Sequence, residues 1–330
     1  MRGFVNRFGR RFFLTAATAL FAVAAITAQQ SDAPSRQRSS SSLGSVPATL
    51  GPDQVFVGTP WIGSAPVTVT VAELMAREAA APPISGPPRE GRGEQGEHEL
   101  RRRNNAASPA VAQWPPAPDG QVTQAVGSRI AFSITTNFRG TRVAESGFVP
   151  PDSNGAVGPT QVLVTSNGRF KVFDKVGTLG TFNVSDQTFW SPVITPVGGS
   201  VTSVFVSDPH VRYDRLSGRW FITEIDVPEP CECSNRILIA VSSGSTITDS
   251  SSFTLYQFQH DTVGPTPNPD TGGFADYDTL GVDQNALYIG VNEFGAVAPF
   301  DFLNTTGYVV SKASLILGGP PVVTAFRQLC

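Results

Sequence analysis

An all-β domain is what three observations on this 330-residue chain predict. From about residue 129 onward, runs of strand length rich in Val, Ile, Phe, Tyr and Thr follow one another, separated by Gly, Pro, Asn and Asp turns. No helical period of comparable length interrupts them. Three stretches also repeat one plan: "DSNGAVGPTQVLVT" from Asp152, "DPHVRYDRLSGRWFIT" from Asp208 and "DYDTLGVDQNALYIG" from Asp276. Each opens on Asp, runs as a small or apolar strand, turns tightly and enters a more apolar strand. Two further strand runs follow each copy, and copies recur about every sixty residues. Four antiparallel strands per unit make a β-propeller blade. The predicted architecture is therefore a propeller with about three such blades, roughly 150–205, 206–262 and 274–330.

Taken from the N-terminus, the first element is a signal peptide over residues 1–28. Arg2, Arg7, Arg10 and Arg11 form its positive region, and "FFLTAATALFAVAAITA" is an apolar core too short for a dependable membrane span. Arg10-Arg11-Phe12-Phe13-Leu14 is similar to the twin-arginine export signature, beside the ordinary secretory route. Residues 29–128 read as a low-complexity or disordered spacer, dominated by Pro, Gly, Ser, Ala and charge. Within it, "VTVTVAELMAREAAA" (67–81) has the pattern of a short strand and a helix. The propeller domain spans 129–330.

In the middle blade, "HVRYD" is the expected innermost strand, "DRLSG" the turn and "RWFITEI" the second strand. Trp220 is expected to pack between blades, since a large aromatic at a strand start is usually core. Three blades do not close a ring of four to eight. The expectation is thus an incomplete arc from the N-terminal part of a longer protein. "RIAFSITTNF" (129–138) would be the strand that completes the final blade.

"VPPDSNGAVGPTQVLVTSNGRFKVFDKVG", "SDPHVRYDRLSGRWFI" and "DYDTLGVDQNALYIG" together resemble a family of exported, largely uncharacterised bacterial β-propeller proteins, over roughly residues 129–330. The resemblance implies a longer parent chain and carries over no catalytic residue set. Where this chain has Asp278, that family commonly has Pro.

The repeated aspartates are the main site candidates. Asp152, Asp208 and Asp276 each precede an inner strand, and in a propeller such positions converge on one mouth of the central channel. With His210 and Asp278 they form the expected ligand or cation site, suited to Ca²⁺, a polyol or a cationic ligand. The plainer alternative is that each Asp fixes its own turn through backbone N–H groups. His210, beside Asp208, is also a conceivable acid or base. Cys231, Cys233 and Cys330 are an odd set with no neighbouring ligands for a metal, and a bridge between Cys231 and Cys233 would be strained.

Charge and motifs narrow the function. A formal net charge of -3 gives no footprint for nucleic acid. No nucleophile elbow, HExxH helix or sialidase-type Asp box occurs. The reading is an exported binding or interaction module, periplasmic, extracellular or on the cell surface. Its ligand is unknown, with a glycan or envelope protein as the partner class and no membrane span in the mature protein. A polysaccharide hydrolase or lyase at the channel mouth is the first alternative, and a structural cell-surface protein the second.

Overall fold

The computed structural model describes residues 57–83, 86–90, 134, 136–196, 201–230, 234–296 and 300–329. The expected signal peptide, Cys231, Cys233 and Cys330 lie outside these residues. The chain divides into Met1–Gln54, also outside them, and Val55–Cys330, which holds every element below. No helix among the described residues is long and apolar enough to cross a membrane.

In chain order the elements begin with β1 (Trp61–Ile62), β2 (Val67–Thr70), α1 (Val71–Ala80), β3 (Arg89–Glu90), α2 (Val143–Ser146) and β4 (Phe148–Val149). A first four-stranded unit follows as β5 (Asn154–Val157), β6 (Gln161–Ser166), β7 (Arg169–Asp174) and β8 (Leu179–Val184), then α3 (Asp186–Trp190). The second is β9 (Ser203–Asp214), β10 (Arg219–Glu229), β11 (Arg236–Ser242) and β12 (Ser252–Gln259), ending in a 3-10 turn at His260–Thr262. The third comprises β13 (Gly273–Asp276), β14 (Gly281–Val282), β15 (Ala286–Gly295), β16 (Phe302–Ser311), α4 (Lys312–Ile316) and β17 (Val322–Phe326).

The protein is mostly β, and its three large sheets are antiparallel meanders in which successive strands pair. None of them is closed. In the third, β13 and β14 both pair with β15, so its first strand comes in two pieces.

The second sheet lies between the other two. Alternation along its strands divides it between two cores. Trp220, Ile222, Leu238 and Ala240 join a core with Leu163, Phe170 and Phe182 of the first sheet. Phe221, Ile237, Ile239 and Tyr256 join one with Leu287, Ile289 and Val310 of the third. Strand β11 is therefore buried at every position, which explains why "RILIAVS" is continuously apolar after its Arg. Trp220 is fully buried against the first sheet: a Cβ built on Gly158 would fall 2.4 Å from its ring.

The region expected to be a spacer supplies outer strands. Residues 67–81 do hold a strand and a helix, and β2 pairs with β12 as a fifth strand of the second sheet, while β1 pairs with β17 at the edge of the third. Thr70 and Glu73 close a capping box that starts α1, and Val71 and Leu74 bury into the first core. Residues 136–138 of the expected strand 129–138 form no strand; Phe138 instead packs on Phe173, centroids 4.8 Å apart.

One boundary differs in a way that matters for the site. Strand β9 begins at Ser203, five residues before Asp208. Asp208 does not precede the inner strand but sits within it, at a bulge opposite Thr223–Ile225, with φ 65°. The left-handed residue lets the strand absorb the register shift and go on pairing.

Candidate functional site

The three repeated Asp stretches share a backbone peculiarity. Asp152 has φ 35°, Asp208 φ 65°, and Tyr277, directly after Asp276, φ 53°. Non-glycine residues rarely adopt such angles, and holding one there costs about 1–3 kcal/mol. The strain falls at the same place in each meander, at or beside the Asp.

Asn167, in the tight turn between β6 and β7, ties two of these stretches together. Its Nδ2 donates to Asp152 Oδ2 at 2.6 Å, and its Oδ1 accepts from the Asp208 backbone N–H at 2.8 Å. Asn167 thus bridges the Asp152 carboxyl and the Asp208 backbone. Burial holds the Asp208 carboxyl well above the usual carboxylate range, and repulsion from Asp276, Asp152 and Asp278 adds to it. The four aspartates singled out from sequence thus stand within one another's field.

Their depths differ. Asp152 and Asp276 are partly exposed, Asp208 is nearly buried and Asp278 fully buried. Neither carboxylate oxygen of Asp278 has a hydrogen-bond partner. Burial pushes this carboxyl up strongly, the neighbouring Thr223 hydroxyl opposes the shift and Asp276 reinforces it.

Two further acids, not anticipated from sequence, lie where the second sheet meets the first: Glu224 on β10 and Asp186 at the start of α3. Glu224 is fully buried and accepts from Trp190 Nε1 at 2.5 Å. Burial and the nearby Asp186 raise it well above the ordinary glutamate value. Asp186 accepts from the Gly168 N–H at 2.5 Å, and burial still pushes its carboxyl up to about 6. The available signal was an acid at an inward position of the otherwise apolar run "RWFITEIDV".

His210 takes a different role from the one expected. Asn154 Nδ2 donates to its Nδ1 at 3.2 Å, and its ring meets Tyr277 edge-on at 5.5 Å. Burial, then Arg212, lowers its pKa, so the ring stays neutral. It lines a cavity of about 730 Å³ with Arg212, Tyr277, Thr279 and Tyr288.

No protein-family model, curated protein or solved structure matches this chain. The kinship suggested by sequence therefore rests on the three quoted stretches alone. Chemically, the site is a graded acidic recess, with solvent reaching Asp152 and Asp276 and little reaching the acids behind them. Its fit to a bare ion is incomplete. Among the described residues, His260, Asp270 and Glu293 are the one group that brings three such donor atoms within 4.8 Å of one another. A Ca²⁺ ion among the four aspartates would need backbone carbonyls and water for the rest of its six to eight oxygens.

Proposed function

We propose that this chain is an exported β-propeller arc that acts as a binding module, taking a cationic or polyhydroxylated ligand at the convergent aspartates. One observation carries the reading. Asp152, Asp208 and Asp276 come from three separate meanders, yet one side chain, Asn167, holds both Asp152 and the Asp208 backbone, and Asp208 is repelled by Asp276. Turn fixation alone does not require acids from different sheets to meet. Face-to-face packing of successive four-stranded meanders supports the blade assignment. The neutral His210, held by Asn154, and the depth of Asp208 and Asp278 favour binding over acid–base catalysis on a polymer.

The test is a thermal-shift screen of Ca²⁺, amino sugars and neutral oligosaccharides, followed by calorimetric titration of any hit. Asp276→Asn and Asp152→Asn, at the accessible rim, should each weaken binding at least tenfold without changing the far-ultraviolet circular dichroism. Undiminished affinity in both variants would rule this site out. The nearness of Asp152 and Asp208, both held by Asn167, also supports a second reading, a hydrolase using a carboxyl pair. Polysaccharide cleavage abolished by Asp208→Asn would select it.

A further inference from the structure

A second buried group holds none of those aspartates. His260 opens the 3-10 turn after β12, Asp270 lies in the loop that follows, and Glu293 lies near the end of β15. All three are 0% exposed. Their donor atoms lie within 4.8 Å of one another.

The hydrogen bonding around His260 fixes its tautomer. Its Nε2 lies 3.0 Å from the Gly273 carbonyl oxygen, which can only accept, so Nε2 carries a hydrogen. Nδ1 then faces the Glu293 carboxylate, 3.2 Å from Oε1 and 3.1 Å from Oε2. Oε2, at that distance, accepts no hydrogen bond. A lone pair and a carboxylate cannot face each other in a dry interior with nothing positive between them. A proton sits on Nδ1, or one sits on the Glu293 carboxyl, or a metal ion lies between the groups. Ligand atoms around a zinc ion with bonds near 2.0–2.1 Å are roughly 3.3 Å apart, close to the separation of Nδ1 from the Glu293 oxygens.

The surroundings have the character of a ligand shell. A ligating histidine usually donates its other ring N–H to a carbonyl or carboxylate, as Nε2 does here. Asp270 is oriented by Asn304 Nδ2 at 3.2 Å and Thr306 Oγ1 at 2.8 Å. Charge points the same way. Three acids, Glu293, Asp270 and the adjacent Asp261, surround His260, and Arg327 pairs with Asp270 alone. Asp226, the other acid near His260, is already matched by Arg236.

We propose that His260, Asp270 and Glu293 form a buried structural site for one divalent transition-metal ion of the zinc class. One imidazole and two carboxylates suit zinc or manganese better than a soft copper ion. The site is closed, so the ion holds structure and takes no part in turnover. It fastens the 261–272 loop to β15, and Arg327 extends the fastening to the end of β17 by donating to the His260 and Val263 carbonyls at 3.1 and 2.9 Å. This site does not depend on the ligand reading of the aspartates.

The test begins with the full chain, stripped by a chelator and reloaded, with metal content measured by mass spectrometry. About one equivalent of zinc should bind per chain and raise the thermal midpoint. Cobalt should give d–d bands with no sulfur charge-transfer band. His260→Gln and Glu293→Gln should each lose the equivalent and the midpoint response. Nitrogen-15 spectra of histidine-labelled wild type decide the matter even where a variant fails to fold. Metal-free protein indifferent to zinc, with His260 protonated on both nitrogens, overturns the proposal. A sulfur charge-transfer band, or full metal retention in both variants, moves the metal to the cysteines and overturns it equally.

Discussion

Gly158 and Trp220 meet with no room for one more carbon. A Cβ on Gly158 would fall 2.4 Å from Trp220 Cζ2 and 2.8 Å from Cη2. The indole cannot retreat, because it is fully buried and its Nε1 donates to the Ser245 carbonyl at 3.0 Å. The turn of the first sheet thus seats the aromatic that opens the second strand of the next.

Gly158→Ala should destabilise the domain by about 1–3 kcal/mol, the range for overpacking a filled core. Urea unfolding measures it through a lower midpoint at unchanged slope. A midpoint equal to that of the parent would mean the two sheets do not meet at this point.

Asp208→Asn should change stability with a defined sign. An aspartate whose folded pKa lies above its unfolded value keeps its proton longer in the folded state. Stability therefore falls as pH rises from about 4, the unfolded value, toward the raised folded value. Burial and the neighbouring acids place Asp208 in this class. The asparagine variant should match the parent near pH 4 and exceed it near pH 8 in thermal midpoint. Lower stability than the parent at pH 8 would show that the native carboxylate is charged and compensated.

Glu224 allows a comparison of two substitutions. Glu224→Gln keeps an acceptor for Trp190 Nε1 and removes an ionisable carboxyl beside Asp186. Glu224→Leu leaves the buried indole N–H unpaired, at a cost of about 1–3 kcal/mol. Chemical denaturation should rank Gln at or above the parent and Leu below it. The opposite order would assign Glu224 a charged partner.

Removing residues 57–81 should expose the edges of β12 and β17, which β2 and β1 cover. Unpaired edge strands invite association, so size-exclusion chromatography should show oligomers where the parent runs as a smaller species. Leu74→Ala, within the same segment, should cost about 2–5 kcal/mol because that side chain is fully buried in the first core. A truncated chain that stays monomeric and equally stable would make the segment dispensable.

Much of the architecture was legible because strands announce themselves locally. The runs "TQVLVTS", "RILIAVSS" and "ALYIGVNEF" have strand composition whatever surrounds them, and β6, β11 and β15 occupy those places. The capping box of Thr70 and Glu73 is likewise visible in four residues. The pairing of β2 with β12 was not visible, since it joins Val69 to Phe253 across most of the chain. Composition made residues 29–128 look like spacer, and a four-residue edge strand hardly alters composition.

The site divides in the same way. Asp152, Asp208 and Asp276 stand out because the same residue type opens three similar stretches, and that regularity is local. Glu224, Asp186 and the group of His260, Asp270 and Glu293 carry no such mark. Each depends on which face of a sheet a residue occupies and on what the neighbouring sheet sets against it.

By itself, the order of residues determined the β character, the strand succession and the three recurring aspartates, since propensity and turn chemistry act within a few residues. Only the packed structure decided that Asn167 holds both Asp152 and the Asp208 backbone, that His210 meets Asn154 and Tyr277, and that an N-terminal segment covers two sheet edges. Those outcomes depend on side chains distant in sequence sharing one dry space. There, burial and mutual charge, which no short stretch encodes, set protonation and partner.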